Sequence, residues 1–269
     1  MTTEREPPST DPVESLRALG FRAPREALAA LLTHAHQSHF GPSETIEQLV
    51  VIDRRAREAT NLARRTKAAA LGAFKPIDRF DWNHPRKIDR ALIERLLGLD
   101  FIERGDNVLL RGQSGVGKSM LAKAIGQAAL ERGYSVRFST LASALADLLQ
   151  QESLPAFERR LKRYLHPDLL ILDELGYLPC DTRAADLLYN IVNRRHEDCS
   201  TVITTNLSFK QWGTVFPGAA CVVALVDRFA QHCHRVDIDA DSWRDTHNFD
   251  RDGDSAPPAP RRRPGKRKP

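Results

Sequence analysis

Apolar residues recur at intervals of three and four positions over three segments of the first third of the chain, residues 15–19, 24–36 and 45–71. This spacing places the apolar side chains on one face of a helix, so each segment is predicted to be helical and amphipathic. A Gly-Pro pair at positions 41–42 separates the second segment from the third. Thr45 is predicted to start the third helix, because Gln48 follows it at the spacing of a capping box.

The predicted long helix has an apolar side and a basic side. Its apolar side carries Leu49, Ile52, Ala56, Ala59 and Ala63. Its basic side carries Arg54, Arg57, Arg64 and Arg65. Guanidinium groups spaced along a helix bind the phosphates of a nucleic acid with little sequence preference, so this side is a candidate DNA-binding surface. A solvated basic face is the alternative interpretation of the same pattern.

Short apolar or β-branched runs follow in the rest of the chain, at residues 107–110, 135–139, 169–172 and 201–205. Segments with helical spacing lie among them, at residues 119–132 and 185–195. The third run is apolar at every position, which is typical of a strand buried on both faces. The alternation predicts an α/β domain with a parallel sheet flanked by helices, preceded by a small all-α domain.

Composition divides the chain into four parts. Residues 1–12 are polar and rich in proline, and they are predicted to be disordered. Residues 13–84 form the predicted helical domain that carries the candidate DNA-binding surface, and residues 85–245 form the predicted α/β domain. Residues 246–269 contain prolines and end in a basic run, which predicts a disordered tail that either attracts nucleic acid or only aids solubility.

The bulk composition indicates a soluble protein with surplus positive charge. The 269 residues carry a formal net charge of +5, which favours a polyanionic partner. No stretch reaches the roughly 18 apolar residues needed to cross a bilayer, and the N terminus lacks the apolar core of a signal peptide. The 4 cysteines form no C-x-x-C pair and suit reduced thiols. We therefore predict a cytoplasmic protein with no membrane partner.

The strongest chemical signal is the G-x-x-x-x-G-K-[ST] pattern at residues 112–119. Its glycines let the backbone turn so that N–H groups face phosphate oxygens, and the N terminus of the next helix adds its positive dipole end. Lys118 is predicted to contact the β- and γ-phosphates of ATP and Ser119 to bind Mg²⁺. The predicted ATP-binding residues are Gly112, Gln113, Ser114, Gly115, Val116, Gly117, Lys118, Ser119 and Met120.

Two carboxylates follow the apolar run at residues 169–172. A buried strand that ends in Asp173 and Glu174 has the Walker B arrangement. Asp173 is predicted to join the magnesium shell, and Glu174 to orient or deprotonate the attacking water, which makes the protein an ATPase. Without a P-loop in the same chain, a strand followed by a solvated acidic turn would explain the pattern equally well.

Several further runs stand in the order found in one ATPase family. They are Leu-Asp-Glu-Leu-Gly-Tyr-Leu-Pro at 172–179, Ser-Thr-Val-Ile-Thr-Thr-Asn at 200–206, Trp212, Leu-Val-Asp-Arg-Phe at 225–229 and Ser-Trp-Arg at 242–244. Over about residues 15–245 the chain resembles the IstB family, the AAA+ helper ATPases encoded beside insertion-sequence transposases, and more distantly the DnaC-type helicase loaders. The resemblance implies an ATP-dependent homo-oligomer on duplex DNA that stimulates its cognate transposase.

The resemblance also implies catalytic roles for two residues outside the P-loop and the Walker B strand. Asn206 resembles the residue that contacts the γ-phosphate or the attacking water, although a strand-ending asparagine is the alternative. Arg228 resembles the arginine that reaches the site of a neighbouring subunit, and its alternative is an ion pair with Asp227. The apolar run at 216–223 departs from the family pattern, which leaves open a helix ahead of Arg228.

The predicted function is a helper ATPase that controls an oligomer on target DNA for a transposase. A replicative helicase loader is one alternative. A nucleotide-gated DNA-binding adaptor with little turnover is another, and the presence of Glu174 argues against it. A small-molecule kinase needs a lid and a substrate pocket after the sheet, and the sequence indicates neither. Phe80 and Trp82 are expected either to line the adenine pocket or, as the favoured reading, to fasten the two domains together.

Overall fold

The computed structural model describes residues 11–176 and 181–243. It begins with the helices α1 (Pro12–Ala18), α2 (Arg25–Gln37) and α3 (Pro42–Ala69). Residues 1–10 and the tail at 246–269, both predicted to be disordered, lie outside the described residues. Asp11 and Pro12 were predicted to be disordered but start α1, because the Asp11 side chain accepts a hydrogen bond from Val13 N and Pro12 occupies the first turn.

Helix α3 begins three residues before its predicted start at Thr45. Gly41 is the N-cap residue and Pro42 occupies the first turn, whereas Thr45 Oγ1 donates a 3.0 Å hydrogen bond to the Gly41 carbonyl. The predicted capping box is therefore wrong, because proline at the first helical position provides the start. The helix ends at Ala69 because Ala70 has a left-handed backbone, with φ of 56°.

Helix α3 packs against two different parts of the protein. Its first half joins α1 and α2 in a small apolar cluster that contains Leu28 and Leu49. Its second half packs on the sheet domain, where Ala69 is buried. The buried side therefore shifts along the helix, and Ala59 and Ala63, which were predicted to extend the apolar stripe, are exposed.

The second part of the chain is built on a parallel sheet. Its strands are β1 (Asn107–Gly112), β2 (Val136–Thr140), β3 (Leu169–Leu175), β4 (Ser200–Thr205) and β5 (Cys233–Ile238). The accompanying helices are α4 (Arg90–Gly98), α5 (Asp100–Glu103), α6 (Lys118–Arg132), α7 (Leu141–Leu149), α8 (Leu154–Leu165), α9 (Thr182–Arg195), α10 (Trp212–Val215) and α11 (Val222–Ala230). Short 3-10 turns occupy Ile77–Arg79 and Phe209–Gln211.

The strands are parallel and lie in the order β2-β3-β4-β1-β5. One hydrophobic core covers the α6 face of the sheet, and a second covers the face that carries α7, α9 and α11. The predicted parallel sheet flanked by helices is confirmed. Because β1, β3 and β4 are adjacent, their carboxyl ends meet at one edge, which is where ligands bind in sheets of this kind.

The sequence patterns missed several of these elements. Helices α4, α7 and α8 and strand β5 were not predicted. The sequence left open whether a helix precedes Arg228, and the structure has one, α11, which begins at Val222 and includes Arg228. In the part of the chain that the structure covers, no helix is both long and apolar enough to cross a membrane. The thiols of Cys199, Cys221 and Cys233 are free, and Cys180 lies outside the described residues.

Candidate nucleotide site

A cavity of about 250 Å³ opens where the loop after β1 leads into α6. The loop and the first turn of α6 form one wall, and Glu174 and Thr204 lie at another. The structure therefore brings Lys118, Ser119 and Glu174 together, as the motifs predict. Most of the predicted ATP-binding residues line this cavity, namely Ser114, Gly115, Val116, Gly117, Lys118, Ser119 and Met120. Gly112 and Gln113 instead line a neighbouring hollow.

Two glycines of the loop have backbones that other residues rarely adopt. Gly115 has φ of 82° and Gly117 has φ of 92°. A Cβ on Gly117 would lie 2.7 Å from Phe80 Cε2, and one on Gly115 would lie 2.4 Å from Ser242 Oγ. The loop therefore depends on glycine both for its left-handed turns and for the close approach of these two side chains.

Lys118 lies inside the loop that precedes it. Its ammonium donates hydrogen bonds to the carbonyl oxygens of Gly112, at 2.8 Å, and Gln113, at 2.6 Å. The side chain is buried, which holds a positive charge close to the cavity wall. This arrangement places the charge where an anionic ligand would meet the backbone N–H groups of the loop.

The Walker B aspartate joins α6 and β4 through hydrogen bonds. Ser119 Oγ donates to Asp173 Oδ1 at 2.9 Å, and Thr204 Oγ1 donates to the same carboxylate oxygen. The backbone N–H of Glu174 in turn donates to Thr204 Oγ1 at 2.9 Å. Asp173 and Thr204 are both buried. Thr204 was not predicted as a site residue, because its role arises from strand pairing between β3 and β4.

Glu174 occupies an unusual backbone conformation at the end of β3. Its φ is 66°, and the register between β3 and β4 shifts between Leu172 and Leu175. At this position Asp173 is buried, whereas the Glu174 side chain is exposed and lines the cavity. The two adjacent carboxylates therefore face different surroundings, as different roles for them require.

The linker between α3 and α4 forms a further wall. It contributes Lys75, Arg79, Phe80, Asp81 and His84 to the cavity. Phe80 also contacts Trp82 edge to face, with ring centroids 4.8 Å apart, and belongs to the α6-side core. Phe80 therefore lines the cavity and also packs in the core, whereas its contact with adenine stays a prediction. The packing runs across the predicted domain boundary at residue 84.

The segment after β5 closes the cavity next to this linker. Trp243 lines the cavity, and its backbone N–H donates to the Gly115 carbonyl at 3.2 Å. Its ring meets that of His84 edge to face, with centroids 4.8 Å apart. Ser242 and Trp243 entered the sequence analysis only as part of a family motif, because their contact with the loop depends on the return of the chain after β5.

Asn206 and Arg228 lie outside this cavity. Asn206 follows β4 and lines the neighbouring hollow with Gly112 and Gln113. Arg228 is exposed on α11, and among the described residues it forms no ion pair, with Asp227 or any other residue. The local ion pair considered for Arg228 is therefore absent from the described structure. The catalytic roles of both residues stay predictions.

Arg57, one of four arginines predicted to bind DNA, is held within the N-terminal helices. Its side chain donates to Asp53 Oδ2 at 2.5 Å and to the Gly20 carbonyl at 2.6 Å. Burial raises the pKa of the Asp53 carboxyl, but hydrogen bonds from Arg57 and from two backbone N–H groups outweigh burial and lower this pKa below its ordinary value. Arg57 thus stabilises the contact of α3 with the turn after α1.

Arg65 is similarly drawn towards the sheet domain. It is half-buried and donates to the Leu130 carbonyl of α6 at 3.2 Å. Arg54 and Arg64 are exposed, with only a 3.9 Å contact between Arg54 and Glu58. Long-range partners within the protein therefore hold Arg57 and Arg65, although the Arg57 side chain is still exposed. DNA contact through the four arginines stays a prediction, and Arg54 and Arg64 have the side chains most available for it.

The fold and the site define a P-loop ATP-binding protein of the AAA+ type, with its phosphate-binding loop after β1 and its two carboxylates near the end of β3, on the far side of β4. The IstB-like ATP binding protein family matches residues 14–250. The chain therefore belongs to this family, which confirms the resemblance drawn from its motifs.

The chain is similar to proteins of several bacterial insertion sequences. A predicted ATP-binding protein of insertion sequence IS21 from Pseudomonas aeruginosa is 36% identical over 188 residues, which cover 70% of this chain and 71% of the relative. One of insertion sequence IS232 from Bacillus thuringiensis subsp. berliner is 34% identical over 211 residues, covering 78% and 84%. The crystal structure of DnaI aligns with a TM-score of 0.51 and 21% identity over 62% of this chain and 92% of that chain, a likeness of fold alone.

Proposed function

We propose that this protein is a Mg²⁺-dependent, cytoplasmic ATPase that assembles with copies of itself on duplex DNA and regulates the transposase of its insertion sequence. The meeting of Lys118, Ser119, Asp173 and Glu174 at one edge of the sheet is the observation that carries the ATPase activity. The insertion-sequence relatives support the transposase as partner. The net charge of +5 supports DNA as a ligand.

The side chains at the cavity fit a triphosphate with its magnesium ion. Ser119 Oγ and Asp173 Oδ1 are 2.9 Å apart, so a hydroxyl and a carboxylate oxygen stand side by side. Mg²⁺ prefers such oxygen ligands. Lys118 and the N terminus of α6 supply positive charge on the phosphate side. When bound, the ion would draw charge from the β- and γ-phosphate oxygens during cleavage.

Glu174 is the residue proposed to act on the attacking water. Its side chain faces the cavity, and its backbone N–H is fixed by Thr204. A carboxylate so placed accepts a proton from water or orients it for in-line attack. Asn206, which directly follows β4, is proposed to contact the terminal phosphate or the water.

Phosphate release by the purified full-length protein tests the ATPase activity. It is measured with Mg²⁺ and ATP, with and without duplex DNA, beside a Glu174→Gln variant. We expect release that depends on Glu174 and rises with DNA. Equal release by the variant would contradict the role proposed for Glu174, and no release at all by the original protein would leave a nucleotide-gated adaptor as the better description.

Electron microscopy and a transposition assay test the other two parts. With duplex DNA and a slowly hydrolysed ATP analogue, we expect oligomers on the DNA that are absent without nucleotide. In a strand-transfer reaction with the cognate transposase, the protein with ATP should raise product yield. Stimulation of a replicative helicase in place of the transposase would favour the helicase-loader alternative.

Arg228→Ala is expected to reduce ATP turnover by as much as roughly a thousandfold if its guanidinium completes a neighbour's site. Mixing this variant with Lys118→Ala should restore activity, because some interfaces then pair an intact loop with an intact arginine. At equal amounts and random assembly, about a quarter of the interfaces are of this kind.

The control for this rescue is a partner subunit that carries both Lys118→Ala and Arg228→Ala. It has no arginine to contribute, so its mixture with Arg228→Ala should stay inactive. Equal recovery with both partner subunits, or recovery with neither, would contradict action in trans.

The joint substitution of Arg54 and Arg64 by alanine is expected to weaken DNA binding without unfolding the protein. Each lost phosphate contact makes the negative slope of log K against log salt shallower by about 0.9, so loss of the pair makes it shallower by about 2. Fluorescence anisotropy with a labelled duplex at several salt concentrations measures this slope.

Arg57→Ala is the contrasting variant. Loss of the guanidinium leaves the buried Asp53 carboxylate without its ion-pair partner, so the substitution should lower the thermal midpoint of the protein. An unchanged slope for the Arg54/Arg64 pair would exclude both residues as phosphate contacts.

A further inference from the structure

One buried hydroxyl connects the two acidic residues of the Walker B strand. Thr204 is fully buried on β4. Its Oγ1 donates to Asp173 Oδ1 and accepts the Glu174 backbone N–H at 2.9 Å. Because a hydroxyl has one proton and two lone pairs, it serves both neighbours at once. The same Asp173 oxygen also accepts the Ser119 hydroxyl, so the connection extends to the start of α6.

Glu174 needs such a support because its backbone is strained. A residue other than glycine with φ of 66° persists only where its surroundings hold it. The regular pairing of β3 with β4 is interrupted between Leu172 and Leu175, so ladder hydrogen bonds do not hold this position. The hydrogen bond to Thr204 takes their place, and it determines where the Glu174 side chain leaves the backbone.

We propose that Thr204 is a positioning residue for ATP hydrolysis, whose hydroxyl orients the Asp173 carboxylate towards the magnesium position and holds Glu174 towards the attacking water. This inference rests on the proposed ATPase activity. Thr204 acts through these two residues, whereas Asn206 borders a different hollow. The role differs from that of an ordinary satisfied core threonine, whose loss would affect stability alone.

Thr201 provides a matched control on the same strand. It is buried to a similar degree, and its Oγ1 accepts a 3.1 Å hydrogen bond from Arg195 Nε. It does not line the nucleotide cavity. Thr201→Val therefore removes a buried, hydrogen-bonded hydroxyl from β4 without touching Asp173 or Glu174, and it measures the structural cost of such a change.

The test compares Thr204→Val, Thr204→Ser and Thr201→Val in the full-length protein. Outer-shell partners of metal ligands typically contribute about 10- to 100-fold, so Thr204→Val is expected to lower kcat by about that factor. The Mg²⁺ concentration for half-maximal ATP binding should rise by about tenfold. ATP affinity without Mg²⁺ should stay within about twofold of the original, because the loop and Lys118 are intact.

The conservative and control variants separate positioning from stability. Thr204→Ser keeps the hydroxyl and should restore both kcat and the Mg²⁺ requirement. Thr201→Val should lower the thermal midpoint but leave kcat and the Mg²⁺ requirement unchanged. If Thr204→Val does not fold, Thr204→Ala, which removes the same hydroxyl and one methyl group more, takes its place in every measurement.

Two results would overturn the proposal. One is an unchanged kcat and Mg²⁺ requirement in the Thr204 variant that lacks the hydroxyl. The other is a fall in kcat and a rise in the Mg²⁺ requirement that are equally large in Thr201→Val. If the original protein does not hydrolyse ATP, the proposed ATPase activity fails by itself. The Mg²⁺ dependence of ATP binding then still decides whether Thr204 positions Asp173.

Discussion

Replacing Lys118 by alanine is expected to abolish measurable ATP binding. The Lys118 ammonium is buried inside the loop and borders the cavity. Its attraction to the phosphate oxygens of a bound ATP would therefore be only weakly screened by solvent. Two charge-assisted hydrogen bonds to a triphosphate contribute about 3 kcal/mol or more, which is roughly a hundredfold or more in Kd. Titration with a fluorescent ATP analogue, followed by competition with ATP, measures the loss.

The control for this substitution is Lys123→Ala. Lys123 lies on the same helix, but its ammonium sits 4.6 Å from the centre of the Phe138 ring and does not line the cavity. Its loss should leave the affinity for ATP unchanged. Because Lys118 also bonds to Gly112 and Gln113, thermal midpoints without nucleotide are needed for both variants. Retained ATP affinity in Lys118→Ala would refute the assignment of the site.

The parts of the fold that follow from short, continuous patterns could be predicted from the sequence. The apolar run before Asp173 fixes a buried strand, and the G-x-x-x-x-G-K-S pattern fixes a loop and the start of α6. The residue types at these positions determine local geometry, so they require no knowledge of distant contacts. For the same reason, the cavity contains most of the residues assigned to the phosphate-binding loop.

The rest of the site depends on contacts between distant parts of the chain. Thr204 is 31 residues from Asp173, and only the pairing of β4 with β3 brings its hydroxyl to that carboxylate. Arg57 and Arg65 read as members of one basic face, but carbonyl groups 37 and 65 residues away hold them. Helical periodicity places side chains on a face but does not show which partner lies opposite.

The linker after α3 connects the nucleotide site to the N-terminal helices. Phe80 packs against Gly117, while Lys75 and Arg79 line the same cavity. The linker follows α3 directly, and the first half of α3 carries α1, α2 and the exposed Arg54. A ligand that shifts the linker would act on the end of α3, which gives the proposed control of DNA binding by ATP a physical route.

Glu174→Gln is expected to separate ATP binding from ATP turnover. The amide cannot accept a proton from water, so turnover should fall by about 10²- to 10⁴-fold. Affinity for ATP should be kept or rise slightly, because a negative charge near the terminal phosphate is removed.

The matched control is Glu197→Gln, since Glu197 is exposed, has the same φ of 66° and lies outside the cavity. Single-turnover hydrolysis measures both variants. Normal turnover in Glu174→Gln would assign activation of the water to another group, whereas slow turnover with ATP retained would trap the nucleotide-bound oligomer on DNA.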